Sequence, residues 1–125
     1  MSISALMEKE ILRIDEDSTV QRAAELMGKH HVGSLLVTRN NQDVGIITER
    51  DIMSKVLAEK HSLDDIKVKN VMSQPLITVD STTEGEQVIK IMDQKKIRRV
   101  FVTDQNQIVG VFSTSDIRKL ARLSP

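Results

Sequence analysis

The chain has 125 residues, 39% of them hydrophobic and 29% charged, with 18 basic and 18 acidic side chains that leave no net charge. Such a chain suits one soluble domain or two small interdependent halves, with no electrostatic pull toward nucleic acid or an anionic membrane. It contains no cysteine, tryptophan or tyrosine and only two phenylalanines, which excludes disulfide and thiolate chemistry and leaves no set of rings on which to stack bases.

The opening stretch MSISALMEKEIL lacks the apolar run of a secretion signal, and no segment approaches the ~18 apolar residues of a membrane span; a cytoplasmic protein is expected. Residues 11–14 read as a short extended piece. Ser18 and Gln21 have capping-box spacing, and Val20, Ala23, Ala24 and Met27 recur at helical intervals, which predicts a first helix. The apolar run 35–37, the polar turn RNNQD and the run 44–47 predict a β-hairpin. The phrase GIITERD, residues 45–51, closes that hairpin and opens a helix that reaches about His61.

After the connector HSLDDIKVK the same order returns. Residues 76–79 are extended, Thr83 and Glu86 have capping-box spacing, and Gly85, Val88, Ile89 and Met92 form the helical stripe. The runs 100–102 and 108–112 flank DQNQ, and GVFSTSD, residues 110–116, opens a last helix that reaches about Leu123. A shift of 65 residues lays 3–52 over 68–117 without a gap, and eleven of the fifty pairs are identical, among them Gly45/Gly110 and Asp51/Asp116. The chain is therefore read as one β-α-β-β-α unit written twice, residues 1–62 and 63–125. Halves so small bury too little surface alone, so they are expected to share a core.

The repeated phrase admits two readings. Thr48 with Asp51, and Ser113 with Asp116, have the spacing of a helix cap, with the hydroxyl accepting a first-turn N–H and the carboxylate near the positive helix end. The same junction also suits an outside partner. Its open N–H groups attract phosphate, the hydroxyl donates to a phosphate oxygen, and the carboxylate accepts from both hydroxyls of a ribose. The glycine ahead of it lets another backbone come close.

With VMSQPLITVD and LMEKEILRID at the front of the copies, the hairpins HHVGSLLV and KKIRRVFV, and the phrases GIITERDI and GVFSTSDI, the chain resembles a tandem pair of CBS domains, the module named for cystathionine β-synthase. The resemblance runs from about Ile3 to Ala121. It implies a mixed α/β (α+β) fold in which two β-α-β-β-α repeats pack sheet to sheet with pseudo-twofold symmetry, leaving two clefts that often hold adenosine compounds such as AMP, ADP or ATP. Carried over, one cleft would use Ser113, Ser115 and Asp116 with Arg98 and Arg99, and would place Leu12, Val32 and Val111 around the base. The other would use Thr48 and Asp51, with Ile46, Ile77 and Ile97 around the base. The first copy has Gly33 and Ser34 where the second has Arg98 and Arg99, and Arg13 where the second has Thr78. The clefts are therefore expected to differ, one being empty or suited to a less charged ligand, with Arg50 as a substitute cation.

Other features carry less. KKIRR, residues 95–99, together with Arg118, Lys119 and Arg122, offers a nucleic-acid reading that the zero net charge opposes. His30 and His31 have no partner at ligand spacing, so no metal is expected. The run IDED, residues 14–17, reads as an acidic helix start, and the six methionines read mostly as core. Ser113 and Ser115 have no histidine near them in sequence, so no catalysis and no required cofactor are expected. The expected function is that of a stand-alone regulatory sensor for an adenosine ligand, a homodimer that signals to an effector protein or through its own assembly. The alternatives are a purely structural dimerisation module with empty clefts, or a nucleic-acid binder.

Overall fold

Every strand and the long helix of the first repeat have a counterpart 65 residues later in the computed structural model, which describes residues 1–117. The first repeat runs β1 (Arg13–Asp15), α1 (Val20–His30), β2 (Ser34–Arg39), β3 (Gln42–Thr48) and α2 (Glu49–Asp51), which continues as a wider π-helical stretch over Ile52–Leu57. The second runs β4 (Thr78–Asp80), α3 (Gly85–Lys95), β5 (Arg99–Asp104) and β6 (Gln107–Ser113), followed by a 3-10 turn at Thr114–Asp116. The predicted helix beyond that turn lies outside the described residues. Among the described residues there are two three-stranded sheets, ordered β1-β2-β3 and β4-β5-β6, each with one parallel and one antiparallel pairing. The mixed α+β class expected from the sequence is what the chain adopts.

The hairpins close as the sequence predicts. Asn40 and Asn41 (φ 51° and 64°) and Gln105 and Asn106 (φ 50° and 63°) are all left-handed, the geometry of a two-residue type I′ turn, which matches strand twist and favours asparagine. Of the predicted helical stripes, Val20, Ala23 and Met27 on α1 and Gly85, Val88 and Met92 on α3 are buried, and Ala24 and Ile89 are partly buried against the same cores. Met27 and Met92 belong to the cores, whereas Met1 and Met53 are 61% and 64% exposed.

The expected caps of the long helices are not the ones that form. At α1 the cap is Thr19, whose Oγ1 accepts the Arg22 N–H at 3.1 Å, rather than Ser18. Glu84 precedes α3 and makes no side-chain cap bond. The reason is long-range. Ser18 donates its N–H to Asp15 O and accepts from the Val68 N–H at 2.8 Å, while Thr83 donates to Asp80 O and accepts from the Ile3 N–H at 2.7 Å. Both residues are held in a turn by the leading segment of the other repeat, so each helix starts one residue later.

That exchange sets how the chain divides. The compact units are Leu12–Leu76 on one hand and Met1–Ile11 with Ile77–Pro125 on the other. Each repeat's leading segment thus belongs to the unit built on the other repeat. Val68 and Val71 join Ile14, Val20, Leu35, Ile47 and Val56 in one core. Ile3 and Leu6 join Val79, Val88, Val100 and Phe112 in the other. Burying such a side chain is worth about 1.5–3 kcal/mol, so the leading segments are integral to the cores they enter. They also add backbone bridges: Ser73 exchanges two hydrogen bonds with Ile46, at 3.0 and 2.8 Å, and Glu8 exchanges two with Val111, at 2.8 and 2.9 Å. Gly45 and Gly110 sit beside these bridges. A Cβ on Gly45 would lie 2.8 Å from Ser73 O, and one on Gly110 would run into Met7 and lie 3.1 Å from Glu8 O. The glycine of the repeated phrase therefore admits the exchanged backbone.

Candidate functional site

Both strand-to-helix junctions form the cap that their spacing encodes. Thr48 Oγ1 accepts the Asp51 N–H at 3.1 Å, and Asp51 Oδ2 accepts the Thr48 N–H at 3.0 Å and its hydroxyl at 3.1 Å. In the second repeat Asp116 Oδ2 accepts the Ser113 N–H at 2.9 Å and the Ser113 hydroxyl at 3.1 Å. Ser113 Oγ lies 2.6 Å from Ser115 Oγ. Asp51 and Asp116 are the two polar residues that are buried among those described, at 9% and 7% exposure. The capping bonds fall on one oxygen of each carboxylate. A carboxylate offers about four acceptor positions, so capping does not by itself exclude accepting from a sugar diol.

The neighbours of the two brackets differ. Arg99 is paired with Ser113 in the β5–β6 ladder, and Arg98 O accepts the Thr114 N–H at 2.9 Å, so the two arginine backbones run beside the second bracket. At the first bracket Ser34 is paired with Thr48 and Gly33 O accepts the Glu49 N–H at 3.0 Å, which puts no cation at the equivalent positions. Arg13 is engaged elsewhere: its guanidinium makes a two-pronged pair with Asp43, at 2.9 and 3.1 Å, which raises its pKa. Arg50 is exposed.

The expected base-lining residues are all partly buried and occupy matching places. Leu12 and Ile77 precede β1 and β4, and their carbonyls accept the Leu36 and Phe101 N–H groups at 3.0 Å. Ile46 and Val111 lie on β3 and β6 opposite Leu36 and Phe101. Val32 and Ile97 follow the left-handed residues His31 and Lys96 that end α1 and α3, and their N–H groups return to Met27 O and Met92 O. Leu12, Val32, Ile46, Thr48 and Asp51 belong to the first unit, and Ile77, Ile97, Arg98, Arg99, Val111, Ser113, Ser115 and Asp116 to the second.

One residue at the first bracket was not singled out from the sequence. Lys55 Nζ lies 3.0 Å from Asp51 Oδ1 and donates to Val71 O at 2.9 Å. The i, i+4 spacing of Asp51 and Lys55 is the signal that marks it. The acidic run behaves as surface pairing: Arg39 hydrogen-bonds Glu16 at 2.8 Å and Lys69 lies 3.0 Å from Asp17, and these cations hold both carboxyls below the usual range.

The first unit also carries an open groove of about 490 Å³, lined by Ala24, Met27, Gly28, Val32, Ile52 and Met53, with His31 and Glu49. It includes Val32 but neither Thr48 nor Asp51. A Cβ on Gly28 would meet no atom within 4 Å. Among the described residues no helix is long and apolar enough to cross a membrane, and no group of three or more acidic, histidine or cysteine side chains is placed to hold a metal.

The model of the CBS domain matches the chain twice, at residues 3–58 and 68–122. The CBS domain-containing protein YhcV of Bacillus subtilis is 30% identical over 116 residues, which cover 93% of this chain and 82% of YhcV. The chain spans 61% and 63% of two uncharacterised archaeal relatives, from Methanopyrus kandleri and Methanocaldococcus jannaschii. The inosine-5′-monophosphate dehydrogenase of the latter organism is matched over only 22% of its length, so the likeness is to one segment of that enzyme. A crystal structure of an uncharacterised protein from Pyrococcus horikoshii superposes with a TM-score of 0.89 at 30% identity, over 99% of this chain and 94% of that one. The CBS domain pair of protein MJ0100, solved with 5′-methylthioadenosine and S-adenosyl-L-methionine, superposes with a TM-score of 0.83 at 25% identity, over 98% and 96%. This chain belongs to the CBS domain family and carries the domain twice in tandem.

Proposed function

We propose that the chain is a regulatory module that binds adenosine-containing ligands at its two strand-to-helix brackets and passes the bound state to a partner protein or to its own assembly. The observation that carries this reading is the duplicated bracket, with a buried carboxylate and a hydroxyl at the same spacing in both repeats. It occurs in a family whose MJ0100 member holds two adenosine compounds. On this reading the second bracket, with Ser113, Ser115, Arg98 and Arg99, takes the phosphates of AMP, ADP or ATP and Asp116 takes the ribose. Leu12, Val32, Ile46, Ile77, Ile97 and Val111 are the apolar residues offered to the bases. The first bracket, with Gly33 and Ser34 in place of the arginines, suits a less charged adenosine compound. A signal follows only if the ligand binds one state better than another; a hundredfold preference is worth about 2.7 kcal/mol.

Calorimetric titration with AMP, ADP, ATP and 5′-methylthioadenosine, each beside its 2′-deoxy form, tests the reading. A hydrogen bond to a charged group is worth ~1.5–3 kcal/mol, so deoxy ligands should bind at least about tenfold more weakly, and Asp116→Asn should abolish the difference for the nucleotides. Equal affinity of ribo and deoxy forms would remove the carboxylates from the site.

A second reading is favoured by the groove. Met53 and Leu57 are 64% and 53% exposed, one turn apart on the helix that borders it. This apolar face fits a second copy of the chain, as in a homodimer. Sedimentation of wild type and of Met53→Glu distinguishes the cases: a dimer that the charge converts to monomer supports the interface, and a wild-type monomer at all concentrations eliminates it.

A further inference from the structure

The structure assigns Lys55 the role of an internal competitor that holds the first bracket closed. The inference rests on the binding reading above and concerns one of its two sites. Asp51 has both oxygens engaged within the chain. Oδ2 accepts the Thr48 N–H and hydroxyl, and Oδ1 faces the Lys55 ammonium at 3.0 Å. The ammonium is itself tethered, because it also donates to Val71 O at 2.9 Å. Val71 is buried in the segment exchanged from the second repeat. Lys55 thus ties the bracket, the helix that carries it and the exchanged segment into one closed arrangement.

A ribose diol approaching Asp51 offers neutral hydroxyls where an ammonium already sits. Three of about four acceptor positions on Asp51 are already filled, so a diol with two hydroxyls displaces one donor. When the ammonium, the one donor from outside the cap, is displaced, Val71 O loses its donor as well. The ion pair is half-exposed, with the lysine side chain at 45% exposure, and such pairs are individually weak. The added hydrogen bond to a buried-segment carbonyl brings the combined barrier to about one order of magnitude in affinity. The lysine itself is not repeated at the equivalent position. The residue 65 positions after Lys55 is Leu120, whose side chain carries no charge. The chain itself therefore supplies the unlocking substitution, Lys55→Leu.

The experiment isolates the first bracket in an Asp116→Asn background and titrates 5′-methylthioadenosine and AMP by calorimetry, with and without Lys55→Leu. Removal of Lys55 should tighten binding about tenfold, and further Asp51→Asn should abolish that gain. Lys55→Gln, which keeps a donor for Val71 O but loses the charge, should give an intermediate gain. It also serves if the leucine variant melts too low to titrate. Unchanged or weaker binding in both Lys55 variants overturns the inference, weaker binding making the lysine a ligand contact. If wild type binds an adenosine compound through Asp116 while the Lys55 variants gain nothing, the lock fails and the binding reading stands. If no variant binds any adenosine compound, both fall.

Discussion

A methyl group placed on Gly45 tests the exchange of leading segments directly. The added Cβ would lie 2.8 Å from Ser73 O and 3.1 Å from Met72 Sδ. Carbon and carbonyl oxygen settle at about 3.3 Å or more, so Ser73 must retreat by roughly 0.5 Å. It cannot retreat without lengthening the two hydrogen bonds, 3.0 and 2.8 Å, that join it to Ile46. Overpacking of this kind costs about 1–3 kcal/mol, each weakened hydrogen bond adds up to ~1 kcal/mol, and the stiffer unfolded chain returns ~0.4–1 kcal/mol. A net loss of about 1–3 kcal/mol lowers Tm by roughly 4–12 °C for a domain of this size, read by circular dichroism on heating. Gly110→Ala differs in kind, since its nearest obstacle is the Met7 side chain, with Glu8 O at 3.1 Å. A double-mutant cycle should therefore show Met7→Ala relieving Gly110→Ala, whereas Met72→Ala leaves Gly45→Ala unrelieved because the backbone oxygen remains. A Gly45→Ala protein that melts within about 2 °C of wild type would refute the close approach.

Lys96 ends α3 in a left-handed conformation (φ 53°, ψ 45°), which costs a non-glycine residue ~1–2 kcal/mol; after the larger unfolded-state entropy of glycine, Lys96→Gly should stabilise the protein by about 0.5–1 kcal/mol, seen as a higher urea midpoint with unchanged slope. The Glu16 and Asp17 carboxyls are held below their ordinary range by Arg39 and Lys69. Their contribution is therefore complete above the unfolded-state pKa and lost as pH falls through the lowered folded values. Urea stability should decline from about pH 5 toward pH 2, and a combined Arg39→Met and Lys69→Met protein should decline less; an unchanged acid slope in that variant would dismiss the pairs.

What the sequence revealed was whatever a local rule encodes. The hairpins were readable because asparagine tolerates the left-handed turn that the strands need. The caps at Thr48 and Ser113 were readable because hydroxyl and carboxylate stand three residues apart. The helix starts at Ser18 and Thr83 were misread although their spacing was correct. The N–H groups of Val68 and Ile3 claim those two carbonyls from 50 and 80 residues away, and no local pattern announces such a partner. The exchange itself left only an indirect mark, the glycines at 45 and 110, whose need for a close backbone was seen without its identity. The methionines were read mostly as core; Met53, on the π-helical stretch that begins at Ile52, is one that lies outside it and lines the groove. The i, i+4 spacing of Lys55 from Asp51 is a local signal common on helix surfaces; its second bond, to Val71 O, is long-range and gives it weight.

The exchange also predicts where the chain can be cut. Division by sequence repeat gives residues 1–62, which lack Val68 and Val71, both buried in the core around α1. They also lack the Ser73 bridge to Ile46 and the Val68 N–H bond to Ser18. Two buried valines alone are worth about 3–6 kcal/mol, against a total of about 3–9 kcal/mol for some sixty residues at ~0.05–0.15 kcal/mol each. That fragment is expected to be unfolded, with poorly dispersed proton NMR signals. Residues 12–76 retain every member of that core and both bridge strands, at almost the same length. This second fragment is expected to keep helical circular dichroism and a cooperative melt. Equal behaviour of the two would mean that the leading segments are appendages, and the closeness of Gly45 to Ser73 would then have no energetic meaning.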